Sequence, residues 1–364
     1  MQKSLEVEYW VTDERGALTT PGTLTEHSEY VEEEFVRPLF ELKTPPCETM
    51  ADLRRTFVAA LVDILERAEA LGKRLVPLGT PVNCGAIDRW TSERTRIQEQ
   101  VMGSALDYAN YCAGTHLHFE KRNVVDQLNT LIALDPALAL VNSSPYFQGE
   151  YVASSARAYC YREKCYEQFP RHGQLWDYAH TVAEWETRLD RCFEEFKAAA
   201  VETGVPADDV DEHFSRDDVV WAPVRLRAAM PTVEWRAPDS ALPSQILRLA
   251  TEMDAVMERL HHTNVTVDGR RGEVTDDCIT LPRFEAVDEY AHSAIHDGLA
   301  SDALAGYLSR MGFDVPQYDP LSATFETAGT VGPAKARELR LQYADRLQRD
   351  VEALRCAIAD GSPV

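Results

Sequence analysis

Four stretches of the chain alternate polar and apolar residues with the two-residue period of a strand, and in each the polar set is ionisable. Glu6 and Glu8 are interleaved with Leu5, Val7 and Tyr9, and Glu41 and Lys43 with Phe40 and Leu42. His116, His118 and Glu120 alternate with Leu117 and Phe119, and within residues 230–239 Trp235 separates Glu234 from Arg236. Side chains two apart on a strand share a face. The pattern therefore predicts a sheet with one core face and one face loaded with carboxylates and cations. Glu34 stands seven residues before Glu41. Seven is odd, so an unbroken strand would put the two on opposite faces, and a bulge at Arg37-Pro38 is the expected device that realigns them.

Helical spacing takes over from Thr49, with Leu53, Phe57, Leu61, Ile64, Leu65 and Ala68 on one face and Gly72 placed to end the helix. Further helices are expected near 92–111, near 123–134 with a stop at Asp135-Pro136, and along the stripe Val182, Trp185, Leu189, Phe193 and Phe196. Helical stretches at 244–262 and 284–311 follow, and Pro333 opens a last helix with the stripe Leu347, Val351, Leu354 and Ile358. Short strands are expected at 75–78, 219–221 and 224–227. The acidic, irregular stretch 201–212 reads as a surface excursion inside one domain, since strands resume after it. We expect a single α+β domain over residues 1–364, mainly helical from about 284, without internal repeats.

Charge narrows the function classes. A formal net charge of -23 argues against nucleic acid as a partner, and the basic set is lopsided, with seven lysines against thirty arginines. Self-repulsion on this scale is relieved by screening ions, so a salt-rich, halophile-like cytoplasm is the expected setting, with an ordinary acidic enzyme as the alternative. The eight cysteines are scattered, without C-x-x-C or paired zinc spacing, and read as reduced, mostly core thiols. The N-terminus enters a strand without an apolar leader, and no apolar run is expected to reach the roughly 18 residues of a membrane span. The expected protein is soluble and cytoplasmic, with no membrane partner.

Each charged feature alone has an ordinary explanation. A Glu6-Glu8 pair can be a polar edge, and His116 with His118 can be two hydrogen-bonded strand histidines. As a metal site, the histidine pair with Glu120 invites zinc, but its carboxylate company suits Mg2+ or Mn2+ better. Residues 329–333, Gly-Thr-Val-Gly-Pro, precede a helix but lack the lysine and serine of a phosphate loop, and read as a cap. Arg157, Arg162 and Arg225 are individually uninformative.

Taken in order, six motifs resemble the type 2 glutamate-cysteine ligase family, including its carboxylate-amine ligase branch. They are Leu-Glu-Val-Glu at 5–8, Phe-Glu-Leu-Lys-Thr-Pro-Pro at 40–46, Leu-Gly-Thr-Pro at 78–81, Gly-Thr-His-Leu-His at 114–118, Asn-Ser-Ser-Pro-Tyr-Phe-Gln-Gly at 142–149 and Thr-Val-Glu-Trp-Arg-Ala-Pro-Asp at 232–239. The likeness covers about residues 4–260 and is looser beyond. It implies a glutamine synthetase-like catalytic fold, a curved antiparallel sheet with helices on its outer face, binding ATP, Mg2+ or Mn2+ and amino acids on the concave side. By the same resemblance Glu6, Glu8, Glu34, Glu41, His116 and Glu234 match metal ligands, Arg236 matches an arginine near the γ-phosphate of ATP, and Arg225 fits a second catalytic arginine. Arg157 and Arg162 both stand where the family has one substrate-binding arginine. Ser4 lies near the place where a glycine often precedes the first glutamate. The implied reaction joins glutamate to cysteine through a γ-glutamyl phosphate. Alternatives are another acceptor amine, a metal-dependent hydrolase built on the histidine pair, and a silent binding protein.

The charge alone yields a test. Raising KCl to molar levels is expected to raise the melting temperature steeply, and equal melting temperatures at low and molar salt would count against a halophilic setting.

Overall fold

The four alternating stretches become strands that pair with one another. The computed structural model describes residues 1–26, 28–227, 230–325 and 329–361. In chain order the strands are β1 (Lys3–Asp13), β2 (Val31–Glu33), β3 (Leu39–Lys43), β4 (Lys73–Val76), β5 (Thr115–Glu120), β6 (Tyr146–Phe147), β7 (Glu150–Tyr151), β8 (Val224–Leu226) and β9 (Thr232–Trp235). Among the described residues seven of them form one antiparallel sheet, ordered β2-β3-β1-β5-β9-β8, with β4 on the far end of the β1 edge that β5 occupies. β6 and β7 form a separate hairpin.

Parity decides what each face becomes. Leu5, Val7, Tyr9, Phe40, Leu42, Leu117, Phe119, Val233 and Trp235 point into one apolar core, where they meet Phe57 and Leu61 of the Met50–Ala70 helix and Met253 of the Pro243–Arg259 helix. Burying such side chains contributes about 1.5–3 kcal/mol each, which fixes the strand registers. The alternate residues are thereby committed to the other face.

The helices start and stop where the chemistry directs. Thr49 accepts the Asp52 N–H at the head of the first helix, and Gly72 has φ of 65° just past its end. Pro333 opens the last helix, Pro333–Ala359, which packs on the first helix and on β4. The expected strand at 75–78 is β4, slightly earlier in the chain.

Several expectations are corrected. No bulge aligns Glu34 with Glu41: the chain turns at residues 34–38, β2 pairs antiparallel with β3, and Glu34 donates its N–H to Leu39 O. Glu34 and Leu39 are therefore opposite each other, which returns Glu34 to the face of Glu41. Asp135-Pro136 does not stop the chain from coiling; a 3-10 helix, Asp135–Val141, continues from the Val124–Leu134 helix, because proline lacks only the donor that an opening turn does not need. Together these make an 18-residue apolar run, Val124–Val141, long enough to cross a membrane by length and composition, but 78% of it is buried inside the protein. The stretch 201–212 is largely helical, with Ala207–His213 carrying Asp208 and Asp209 in its first turn, where acidic side chains favour a helix. Residues 216–219 are a helical turn and not a strand. A small sheet over Asn264–Val267, Glu273–Val274 and Cys278–Leu281 was not foreseen.

Behind the loaded face, one buried carboxylate ties the motif segments together. Asp239 accepts hydrogen bonds from Ser143 N (2.9 Å), Ser143 Oγ (3.2 Å) and Ser155 Oγ (2.9 Å). Ser143 Oγ in turn accepts from Gly79 N at 2.6 Å, and Thr115 Oγ1 donates to Asp239 O at 2.9 Å. A Cβ on Gly79 would sit 2.5 Å from the Asp239 carboxyl carbon. Asp239→Ala, which strands three buried donors, is expected to cost about 3 kcal/mol or more in denaturant unfolding, because unmet buried donors lose roughly 1–3 kcal/mol each. Gly79→Ala should fall in the same direction, and unchanged midpoints for both would remove Asp239 from this role.

Candidate active site

Cross-strand register sets the charged face. Glu6 lies opposite Lys43 on β3 and His116 on β5, Glu8 opposite Glu41, and Glu234 opposite His118 on β5 and Arg225 on β8. His116 is the centre. Its Nδ1 is 3.1 Å from Glu6, 3.6 Å from Glu41 and 3.8 Å from Glu234, and its Nε2 is 3.8 Å from Glu8. His118 Nε2 is 3.3 Å from the same Glu6 carboxylate. The Gly114 N–H donates to Glu8 Oε2 at 2.5 Å and so fixes its carboxylate.

Cations flank the carboxylates. Arg225 holds both oxygens of the fully buried Glu234, through Nε at 2.6 Å and Nη2 at 3.1 Å. Arg227 and Arg236 approach the same carboxylate at 3.8 and 3.9 Å, and Lys43 pairs with Glu41 at 3.0 Å and Glu32 at 2.7 Å. Arg236 lies over Trp221 at 5.7 Å, and Trp221 stacks on Tyr161 with ring centres 4.2 Å apart. The Nε atom of Arg236 and the Nε2 atoms of both histidines are buried without a hydrogen-bond partner among the described residues.

The carboxylates are not equivalent. Burial and the charge of Glu8 push Glu34 up to about 8. Burial and the neighbouring charges of Glu34, Glu6 and Glu8 raise Glu41 well above its usual range. Burial opposes ionisation of Glu6 as well, but the close approach of His116 and His118 outweighs it and holds its carboxyl low. Glu234 is held low in the same way, burial being overcome by Arg225, His118 and Arg236. Burial lowers His116 despite Glu6.

This donor set fits hard divalent cations. Glu6 with Glu41 and His116, Glu8 with Glu34 and Glu41, and Glu6 with His118 and Glu234 each offer three ligand atoms within 4.8 Å of one another. Mostly oxygen donors with an imidazole suit Mg2+ or Mn2+. The raised pKa values of Glu34 and Glu41 express burial first and then mutual repulsion, and a cation offsets both; the orphaned Nε2 of His116 is one more donor aimed into the cluster.

The structure thus brings together Glu6, Glu8, Glu34, Glu41, His116, Glu234, Arg225 and Arg236. Arg157 and Arg162 are not brought with them as open cations. Arg157 is 1% exposed and donates to Ala237 O at 2.8 Å and Arg236 O at 3.2 Å, beneath Gly114. Arg162 bonds Asp135 at 2.6 Å, whose other oxygen accepts the indole N–H of the core residue Trp235, so it sits on the opposite side of the sheet. Backbone carbonyls and Asp135 engage the terminal nitrogens named, while the Nε of each arginine is buried without a hydrogen-bond partner among the described residues. Glu120 shares the parity of His116 but ends the strand, bonded to Gln2 N and Arg122. His118, Lys43 and Arg227 join the face and were left out of the sequence set. The signal was present, since each lies two residues from a selected one. A cavity of about 360 Å3 beyond Pro38, lined in part by Arg37, Asn83, Arg337 and Arg340, contains none of the carboxylates.

The family model for glutamate-cysteine ligase family 2 matches residues 6–310, a span that includes every member of this face. The chain belongs to that family. Glutamate-cysteine ligase family 2 comprises ATP-dependent carbon-nitrogen ligases. No curated protein matches the chain in sequence. Its fold is similar to that of a bifunctional glutathione synthetase from Pasteurella multocida, with a TM-score of 0.59 and 15% identity over 96% of this chain. The chain spans about half of that protein, 52% of its length. It is also similar to a glutamate-cysteine ligase from Francisella tularensis solved with AMP, with a TM-score of 0.51 and 11% identity over 99% of this chain and 92% of that one. At these identities the two likenesses show the shared fold, helices with an antiparallel sheet.

The crowding on this face predicts a pH dependence. With chelator present, folded Glu34 keeps its proton up to about pH 8, whereas the unfolded chain releases it near the ordinary value of 4.5. The folded state therefore binds more protons between those values, and stability falls as pH rises through them. Glu34→Gln is expected to flatten that part of the stability profile, and a parallel profile for the variant would show that Glu34 does not carry it.

Proposed function

We propose that the chain is a glutamate-cysteine ligase, forming γ-glutamylcysteine from L-glutamate, L-cysteine and ATP through a γ-glutamyl phosphate. The observation that carries this reading is the face on which five family-matched glutamates and His116 converge beside Arg225 and Arg236. Carboxylates in this number exceed the needs of one cation and suit two or three. We take the fold as glutamine synthetase-like and the chain as one catalytic domain, working in a salt-rich cytoplasm where its product serves thiol metabolism.

The chemical problem is to bring two anions, the glutamate γ-carboxylate and the ATP γ-phosphoryl group, into contact. Divalent cations held by Glu6, Glu8, Glu34, Glu41, His116 and Glu234 would supply charge neutralisation on the phosphates. Arg236, whose buried Nε lacks a hydrogen-bond partner among the described residues, is oriented by Trp221 and Glu234 toward charge on the moving phosphoryl group. Arg225 keeps Glu234 ionised and in place through its two hydrogen bonds. Lys43 pairs with Glu41 and offsets only part of the burial and repulsion that raise it. The amine of cysteine then attacks the acyl phosphate and displaces phosphate.

A second reading stays close to the first. Because Arg157 and Arg162 are engaged elsewhere, the described residues that the sequence offered for a substrate carboxylate do not define the acceptor. A carboxylate-amine ligase with a different amine fits the same face.

ADP release with glutamate and each candidate amine separates these readings. Oxygen-18 in the glutamate γ-carboxylate is expected to appear in the released phosphate, since the oxygen that attacks ATP leaves with phosphorus. Product formation without label transfer would rule out the acyl phosphate. Arg236→Ala is expected to lower kcat by about 100-fold or more, with a smaller change in the KM for cysteine.

A further inference from the structure

Outside the charged face, a second group of side chains has ligand chemistry that the proposed reaction does not use. His292 and His296 are four residues apart on the Phe284–His296 helix, so their rings leave it on the same side. The ring centroids are 4.3 Å apart. Glu163 comes from a different element, the π-helical turn Cys160–Cys165, and its Oε1 lies 2.5 Å from His296 Nε2. One ligand atom from each residue lies within 4.8 Å of the other two. Helix periodicity explains the two histidines but not the arrival of a carboxylate from an element far earlier in the chain.

We propose that Glu163, His292 and His296 form a second metal site, separate from the charged face, that takes a transition-metal ion of the zinc class. Two borderline imidazole nitrogens beside one carboxylate make a nitrogen-rich set, unlike the oxygen-rich one around His116, and favour zinc over Mg2+. Metal bonds of about 2.0–2.2 Å in a tetrahedral arrangement place ligand atoms about 3.3 Å apart. Without the ion, Glu163 and His296 share a proton at hydrogen-bond distance. The ion replaces that proton, and the two side chains separate by a fraction of an ångström. Glu163 and His292 are exposed and His296 is half-buried, so this adjustment disturbs no core packing, and water reaches the fourth position.

The location gives the site a mechanical role. Ser154 N donates to His296 O at 3.3 Å and Ser155 N to Ile295 O at 2.9 Å, while Ser155 Oγ donates to Asp239. An ion here would pin the end of the 284–296 helix to the 160–165 turn, whose Tyr161 stacks on Trp221 under Arg236. It stabilises the frame behind the charged face and takes no part in the chemistry.

Calorimetric titration of the chelator-treated full chain with Zn2+, under saturating Mg2+, tests the site directly. The parent is expected to bind one more Zn2+ per chain than the H292A/H296A double variant, with the affinity at these residues falling roughly 100-fold or more on their removal. Zn2+ should raise the melting temperature of the parent and not that of the double variant. Glu163→Gln keeps a hydrogen-bonding group beside His296 but removes the anionic ligand, and it is expected to weaken binding about tenfold. Magnesium-supported turnover should be unchanged in all three. Equal Zn2+ stoichiometry and affinity in parent and double variant, or no melting shift in the parent, overturns the proposal. Because binding and melting are the readouts, either result is independent of whether the ligase reading holds.

Discussion

Mutual repulsion among carboxylates is the constraint on which the rest of this architecture depends. Glu8, Glu34 and Glu41 present oxygens to one point, and Glu6 joins them through His116. Left to themselves they would spread into solvent or keep their protons. They are held because Glu6, Glu8 and Glu41 stand on strands whose other face is sealed in the apolar core, where rotating out would expose residues such as Val7 or Leu42, and Glu34 is tied to β3 just past the end of β2. The free energy that concentrates charge on one side of the sheet is therefore hydrophobic energy on the other. Arg225, Arg236 and Lys43 offset part of the repulsion, and the remainder is what makes the face a sink for cations.

The turn residues of the recurring motifs act behind this face. Gly79, Ser143, Ser155 and Asp239 belong to four segments that meet at one buried carboxylate, and Gly114 both anchors Glu8 and leaves room for Arg157 beneath it. The segments that look chemical in sequence thus divide into those that touch the open face and those that brace it. Arg157 belongs to the second group. Its charge is spent on two backbone carbonyls that would otherwise be buried without a donor.

Strand parity made most of the face legible in the sequence, because a two-residue period states which side chains travel together before any contact is known. That logic reached Glu6, Glu8, Glu41, Lys43, His116, His118, Glu234 and Arg236, and carried on from Arg225 it would have included Arg227. It failed for Glu34, where the route back to the face is a turn between paired strands, a tertiary event that counting along one strand does not see. Parity said nothing of Arg157 and Arg162, which the resemblance alone offered, and their contacts with backbone carbonyls and with the distant Asp135 carry no sequence signature. The helix at 207–213 was hidden by its acidity, although aspartates in a first turn help a helix.

The sharing of one β1 edge by β5 and then β4 has a consequence for how such a chain can vary over generations. β1 is paired along both edges, so adding or deleting a single residue within it would exchange inside for outside against three neighbours at once. Substitutions there are graded in effect, but a change of length is all or nothing. Lineages of this fold should accumulate insertions in joints such as 203–206 and 268–272 while the spacing from Glu6 to Glu8, and from His116 to His118, stays locked.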